Sequence, residues 1–558
     1  MSQPSLVECV PNFSEGRDPK IIEAIADAMR QVEGASLLLV DPGHATHRTV
    51  YTLVGPPEAV LEAAFRAIAT AVRLIDLRTH RGAHPRIGAC DVCPFVPVSG
   101  LSMDDCVALA RRLGERVGRE LDIPVYLYEE AATRPERRSL SDIRAGEYEG
   151  LEARLKDPDW QPDFGPAAFR PRSGATVIGA RPFLIAYNVN LNTREKRKAS
   201  KIGALVRELG IARRDAEGNA IRDEEGKLVR DPGMFRNVKA IGWFIPEYDR
   251  AQISINFTDW RVSPPHLVLD AVRRIADDEG VVVTGSELVG LVPLDAMLEA
   301  GRYYLSRQGQ NPGAPESELI EVAIRSMGLR DLGPFDPDER IIERRIRRDG
   351  RLVSMTVRTF VDTLSSSAPA PGGGSVAALC GAMAAACAAM VGAVTTGKKG
   401  YEASFEEQNQ SAIRAQGLKE AFLADIDHDT TAFDRLMACF GLPKATAEEA
   451  EARDRAIQEA TQGAALVPLG VLERCVEALE VAEVALRGNA NARSDAGVAT
   501  LLLGAAAEGA WYNVRINCKN VADPDFVAEV VGRADRALEA VIRRRDALTA
   551  SVRGFLVS

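Results

Sequence analysis

The sequence predicts a multidomain protein with two α/β, sandwich-like subdomains followed by an all-α helical bundle. Three observations carry that expectation. At 558 residues the chain is too long for one hydrophobic core, and roughly 150 residues per domain suggests three or four compact units. From Leu6 to about Val292, short β-type runs alternate with amphipathic helical periods. Beyond Thr359 the β alternation vanishes, and long Ala/Leu-rich helical periods continue to the end, as in a bundle.

Taken in order, residues 20–32, 57–74 and 104–121 read as helices, with a strand at 36–41 between the first two and another at 124–128 after the third. A second strand-rich block follows at 175–179, 183–190, 238–244 and 251–256. Between the blocks, residues 160–174 hold three prolines and two glycines, the composition of an extended linking loop. The polar stretch 216–233 reads as a surface hairpin insertion, and 338–351, rich in both charges, as a solvated linker. The expected boundaries are 1–176 and 177–330 for the two α/β subdomains, 331–354 for the linker and 355–558 for the helical domain.

Composition excludes some functions. There are 69 basic and 79 acidic side chains, a net charge of −10, which argues against a nucleic-acid binder. The first ten residues lack the basic and apolar regions of a secretory signal. The nine cysteines are scattered, so a reduced, cytoplasmic setting is expected rather than a disulfide framework. Cys90 and Cys93 form a C-x-x-C without a second pair nearby, and no redox or zinc role is assigned to them. The uncharged run 376–394 is mostly Ala and Gly; it reads as a closely packed bundle helix, so no membrane partner is expected.

Four of the six histidines, His44, His47, His80 and His84, fall within 41 residues. A metalloprotease pair at His80 and His84 would need a helix with Glu after the first histidine. Arg81, Gly82 and Pro85 stand there instead, so no metal is expected. Two readings of this cationic loop stand. Its residues are ordinary surface groups, or a histidine held neutral among arginines acts as a general base on an anionic substrate. In the second reading Arg81 and Arg86 each clamp a carboxylate. A further cationic stretch, 194–201, reads as a solvated helix start or as a region that steers a polyanion.

In the helical tail, Leu418, Phe422, Ile426, Phe433, Leu436 and Met437 converge on one face at about 100° per residue. Asp429 projects within that face, Asp425 lies just beyond one edge, and Asp427 and Asp434 point away. A carboxyl among apolar side chains is costly unless it has a task, and burial with Asp425 one turn earlier would raise its pKa. The alternative is a helix break that leaves Asp429 as an N-cap. Gly372, Gly373 and Gly374, ahead of the Ala-rich helix, form either an anion nest or a close-packing device. Residues 487–495 and 513–517, rich in Asn and Asp, suggest a polar cavity lining.

Longer motifs make the chain recognisable. Leu6-Val-Glu-Cys-Val-Pro-Asn-Phe-Ser-Glu-Gly16, His84-Pro-Arg-Ile-Gly-Ala-Cys-Asp-Val-Cys-Pro-Phe95, Arg144-Ala-Gly-Glu-Tyr-Glu149 and Asp163-Phe-Gly-Pro166 resemble formimidoyltransferase-cyclodeaminase. Asp427-His-Asp-Thr-Thr-Ala-Phe433 is similar to that family's cyclodeaminase motif. The resemblance implies a bifunctional folate enzyme of histidine degradation. It would transfer a formimino group from N-formimino-L-glutamate to tetrahydrofolate, then cyclise the product to 5,10-methenyltetrahydrofolate with loss of ammonia. It assigns His84 as the transferase's catalytic histidine and Asp429 as the cyclodeaminase acid–base group, with His428 a bystander. Gly165, Pro166, Ala167, Ala168, Phe169, Arg170, Pro171, Arg172, Ser173 and Gly174 correspond to its folate-binding stretch.

On this resemblance Phe169 packs on a flat ring, Arg170 and Arg172 meet folate carboxylates, and Asn12 and Asp41 orient His84 or substrate, unless they are simple turn residues. No cofactor is tightly bound; polyglutamylated tetrahydrofolate is a cosubstrate. The resemblance also implies a homo-oligomer. Two rival functions remain at this point: a non-catalytic folate-binding scaffold, and an enzyme that uses 5-formyltetrahydrofolate.

Overall fold

In the computed structural model, residues 5–44, 46–82, 85–346 and 350–557 are described; His84 lies outside them. The chain packs into two compact units, 5–296 with 327–346, and 297–326 with 350–557.

The first unit holds two sheets. The first contains β1 (Leu6–Cys9), β2 (Asn12–Phe13), β3 (Ser36–Gly43), β4 (Arg48–Gly55), β5 (Cys90–Ser99), β6 (Val125–Glu129) and β7 (Thr176–Ala180). Pro11 separates β1 from β2, which share the same neighbours, β4 and β5. Helices α1 (Pro19–Arg30), α2 (Pro57–Leu74) and α3 (Met103–Glu120) bury their apolar stripes with this sheet. Ile25, Met29, Val60, Ile68, Leu109 and Leu113 share a core with Val7, Phe13, Leu53, Phe95 and Ile178. The other face takes Tyr126, Tyr128 and Val177 against Ile143, Leu151 and Leu155, which belong to or adjoin the short helices α4 (Leu140–Ile143) and α5 (Glu147–Arg154).

The expected boundary at 176/177 needs correction. Strand β7 pairs in parallel with both β5 and β6 inside the first sheet. The loop at 160–174 is therefore a crossover that returns the chain to its own sheet, and the second sheet begins only at β8 (Ile185–Leu191).

After α6 (Lys196–Val206), residues 211–231 form a surface hairpin, β9 (Ile211–Ala212) with β10 (Arg230–Asp231). Strands β11 (Val238–Ile245), β12 (Arg250–Phe257) and β13 (Val283–Val289), with α7 (Pro265–Asp278) before the last, complete an antiparallel sheet in the order β11-β12-β8-β13. The segment expected as a solvated linker is partly folded. It carries α10 (Pro337–Arg340) and α11 (Ile342–Ile346), with Ile341 and Ile342 buried and Ile341 bridged to Val292. Its charges lie around an apolar anchor, which its overall composition conceals.

Between those regions, α8 (Leu294–Arg307) and α9 (Glu316–Met327) were expected in the second α/β subdomain. Residues 297–326 cluster instead with the helical unit. Asn311 donates to Thr396 at 3.0 Å, and Gln416 donates to the Gly313 carbonyl at 3.0 Å. That unit contains α12 (Val357–Leu364), α13 (Gly373–Thr395), α14 (Phe405–Cys439), α15 (Ala447–Leu486), α16 (Arg493–Cys518) and α17 (Pro524–Val557).

Helix α13, the uncharged run, packs against α14, α15 and α16. Its small residues permit the close approach. A Cβ built on Gly381 would stand 2.6 Å from the Phe422 ring, and an ordinary side chain there would separate α13 from α14.

Candidate active sites

Three of the quoted motifs converge on the first sheet. Arg48, at the start of β4, donates to Asn12 Oδ1 from Nε and Nη2 at 3.0 and 2.6 Å. Its Nη1 lies 3.3 Å from Asp91 Oδ2, the oxygen that also accepts from Arg144. Asp91 is fully buried, and its Oδ1 accepts the Ile87 N–H at 3.0 Å. Burial pushes the Arg48 guanidinium down to about 10, with Asp91 opposing that shift. One carboxylate thus faces two guanidiniums, leaving a net positive charge suited to an anionic ligand. Asn12 therefore orients Arg48. Asp41 lies within β3 opposite Val50, exposed, rather than in a loop.

Beside this network the rings of His47 and His80 stack, 4.3 Å between centroids and 23° apart. Arg86 Nε donates to His80 Nδ1 at 3.2 Å, so the His80 proton sits on Nε2 and is donated to the His47 carbonyl at 2.8 Å. His47 Nδ1 accepts the Gly16 N–H at 3.1 Å. Burial, the largest cause for each, lowers both histidine pKa values. His80 is thereby held neutral, with both ring nitrogens engaged. His44 is exposed.

Arg86 does not fit the expected substrate clamp. It is buried, and its guanidinium already meets Glu149 twice and Glu147 once. Arg81 donates to the His80 carbonyl at 2.7 Å. Arg86 thus reinforces the loop from within, whereas Arg81 is exposed.

The stretch from Gly165 to Gly174 runs beside that loop. Gly174 bridges Gly88, the buried Ser173 accepts the Ala89 N–H through its carbonyl, and the Arg172 carbonyl accepts the Leu77 N–H. Gly165 and Gly174 have φ of +78° and +65°, where a side chain would be strained. Pro166, Ala167 and Ala168 lie in an irregular segment, with Ala167 and Ala168 exposed. Phe169 packs on Tyr148 at 5.4 Å, and Tyr148 donates to the Pro171 carbonyl. Arg170 is paired with Asp122, and Arg172 lies near Asp76 and donates to the Arg73 carbonyl. These two cations have partners within the protein, and Phe169 has a ring neighbour of its own.

In the helical unit, α14 runs unbroken through the acidic motif, which rules out the N-cap reading of Asp429. The three aspartates have different surroundings. Asp427 accepts the Leu352 and Val353 N–H groups at 2.8 and 3.1 Å and ties down that segment. Asp425, expected at the edge of the apolar face, is buried and bonded to Arg474, with His428 Nδ1 at 3.3 Å. Asp429 meets Ser375 at the start of α13. Ser375 Oγ lies 3.0 Å from Asp429 Oδ2.

Burial, the largest cause, raises the Asp429 pKa; Ser375 opposes the shift and Asp425 adds to it. A Cβ on Gly374 would overlap the Asp429 carboxyl. Gly374 therefore serves close packing against Asp429, whereas Gly372 has open space around it.

The apolar face is continuous only in part. Leu418, Phe422 and Ile426 are buried, Phe433 and Leu436 half-buried, and Met437 exposed. The two Asn-rich stretches are separated. Asn489 bonds Thr395 and Lys398 at one end of α13, whereas Asn513 lies beside Gly373 at the other. A helix of 23 residues places those ends roughly 33 Å apart.

Sequence reasoning did not single out Arg48, Asp91, Ser375 or Arg474. Asp91 stood inside a motif already noted, and Ser375 directly follows the three glycines ahead of the Ala-rich helix, which was the available signal. Arg474 had none, because its partner lies 49 positions away.

Comparison with known proteins identifies the family to which both units belong. Residues 6–181 match the formiminotransferase domain, N-terminal subdomain, and 186–347 match the formiminotransferase domain. Residues 356–536 match the family described as formiminotransferase-cyclodeaminase. The formimidoyltransferase-cyclodeaminase of Sus scrofa is 43% identical over 97% of each chain, and that of Rattus norvegicus 42% over 97% of each. A glutamate formimidoyltransferase of Thermoplasma acidophilum is 44% identical over 57% of this chain and 98% of its own. With full-length relatives at this identity and three family segments in order, the chain belongs to the formimidoyltransferase-cyclodeaminase family.

Proposed function

We propose that the two units divide the family's two reactions, with His84 serving the first and Asp429 the second. The chain is a bifunctional folate enzyme. In the first step, N5 of tetrahydrofolate attacks the amidine carbon of N-formimino-L-glutamate. His84 takes the N5 proton and returns it to the departing glutamate nitrogen. In the second, N10 attacks the formimino carbon, the C–N bond to the amino group breaks, and ammonia leaves. Asp429 carries the proton from N10 to that leaving group.

The observation that carries the second assignment is the half-buried Asp429 carboxyl, with a raised pKa and Ser375 as its partner. For the first, the cationic Arg48–Asp91–Arg144 network, adjacent in sequence and space to the stacked histidines, suits a dicarboxylate donor. The stretch from Gly165 to Gly174 contributes backbone and shape, and tetrahydrofolate, polyglutamylated, is a cosubstrate. Free cysteines favour a cytoplasmic setting. A homo-oligomer is supported by Val498, Leu501, Tyr512 and Ile516, an exposed apolar stripe along α16.

The test supplies formiminoglutamate and tetrahydrofolate and follows methenyltetrahydrofolate by absorbance. Wild type produces it, His84→Ala stops transfer, and Asp429→Ala lets 5-formiminotetrahydrofolate accumulate. Unaltered turnover in either variant would refute that assignment. A non-catalytic scaffold would give no product with wild type.

A further inference from the structure

Ser375 is the third residue of α13, and its side chain is fully buried. Its Oγ lies 3.0 Å from Asp429 Oδ2 and 3.0 Å from the Ile426 carbonyl. A hydroxyl has one proton, so it donates to only one of these acceptors at a time. While Asp429 is ionised, its carboxylate is the stronger acceptor and takes the Ser375 proton. Once Asp429 is protonated, it becomes a donor to Ser375 Oγ, and the hydroxyl turns to the Ile426 carbonyl. Rotation about one C–O bond therefore satisfies both states without moving a heavy atom.

We propose that Ser375 is a positioning residue for cyclodeamination, reversing its hydrogen bond whenever Asp429 gains or loses a proton and holding the carboxyl in one orientation throughout. This rests on the reading of Asp429 as the acid–base group. Ser375 neither gains nor loses a proton overall; the one removed from N10 leaves with ammonia, and the hydroxyl ends the cycle as it began.

The other groups around Asp429 set a background against which the serine acts. Helix α14 contributes Asp425 and His428, and α15 contributes Arg474, bonded to Asp425. Helix α16 brings the neutral Asn513 amide beside Gly373. Asp425 favours the protonated acid, and Ser375 favours the ionised one.

The experiment uses the full chain and measures cyclodeaminase kcat and KM against pH for wild type, Ser375→Ala, Ser375→Thr, Ser375→Cys, Asp425→Asn and Asp429→Asn. Circular dichroism and urea denaturation of each full-length variant serve as the check on folding of the helical unit. Ser375→Ala is expected to lose roughly 10–100-fold in kcat with little change in KM. The acidic limb of its profile should move to higher pH, because the ionised acid has lost a donor. Ser375→Thr keeps the hydroxyl and the wild-type limb, and Ser375→Cys, a poorer donor, shows a smaller upward displacement.

Asp425→Asn, which removes a like charge, moves the limb to lower pH. A wild-type kcat and profile in Ser375→Ala beside an inactive Asp429→Asn overturns the role of Ser375. So does a limb in Ser375→Thr displaced as far as in the alanine variant; should Ser375→Ala not fold, the threonine and cysteine variants decide. Full turnover in Asp429→Asn overturns the reading of Asp429, and the proposal with it.

Discussion

Arg86 and Glu149 meet in a two-bond fork, Nη1 to Oε2 at 2.9 Å and Nη2 to Oε1 at 2.8 Å. The guanidinium is buried and the carboxylate largely exposed. Because Arg86 also donates to His80, this one side chain joins helix α5 to the histidine loop. Arg86→Ala should therefore destabilise the α/β unit by about 2–3 kcal/mol, the range for losing hydrogen bonds to charged groups. Urea denaturation measures it. A raised KM for formiminoglutamate with unchanged stability would instead mean that Arg86 binds substrate directly.

The stacked histidines make the same unit sensitive to acid. Burial lowers both pKa values from the ordinary 6.5, so below that pH the unfolded chain takes up protons more readily than the folded one. Stability is then fully present above about 6.5 and falls as the pH drops below it. The urea midpoint should decrease between pH 7.5 and 5.5, and decrease less in a His47→Asn, His80→Asn double variant. An equal decrease in both proteins would contradict the account.

Asp427 and Asp429 are two positions apart and have opposite tasks. Asp427→Asn weakens the bonds that hold Leu352 and Val353, and should cost about 1 kcal/mol of stability while cyclodeaminase kcat stays within a few-fold of wild type. A loss of turnover as deep as that of Asp429→Asn, without a stability change, would place Asp427 in the chemistry.

Gly374→Ala inserts a methyl group where the Asp429 carboxyl stands. The expected result is loss of cyclodeamination with transfer retained. Gly381→Ala, against the Phe422 ring, should instead lower stability by about 1–3 kcal/mol through overpacking. Denaturation and the two activity assays, run on both variants, separate these outcomes.

Local pattern made much of this molecule legible. The stripes of α1, α2 and α3, the alternation of β11 and β12, and the Ala-rich periods of α13 each follow from side-chain periodicity within a single element. The hairpin at 211–231 was readable, as an insertion expected at 216–233, from its polar composition. The boundary at β7 was not, because periodicity cannot tell which sheet a strand will join. The charged segment around Ile341 also misled, since a short apolar anchor hardly alters average composition.

The amino-acid order alone determined the succession of α/β and helical regions and the family motifs, including the aspartate that faces an apolar stripe. Folding decided the partners: that Arg86 is taken up by Glu149, that Asp425 is balanced by Arg474, and that the glycine-rich loop receives Asp429. Periodicity is a property of neighbours along the chain, whereas charge pairing and close backbone approach depend on groups brought together from distant positions.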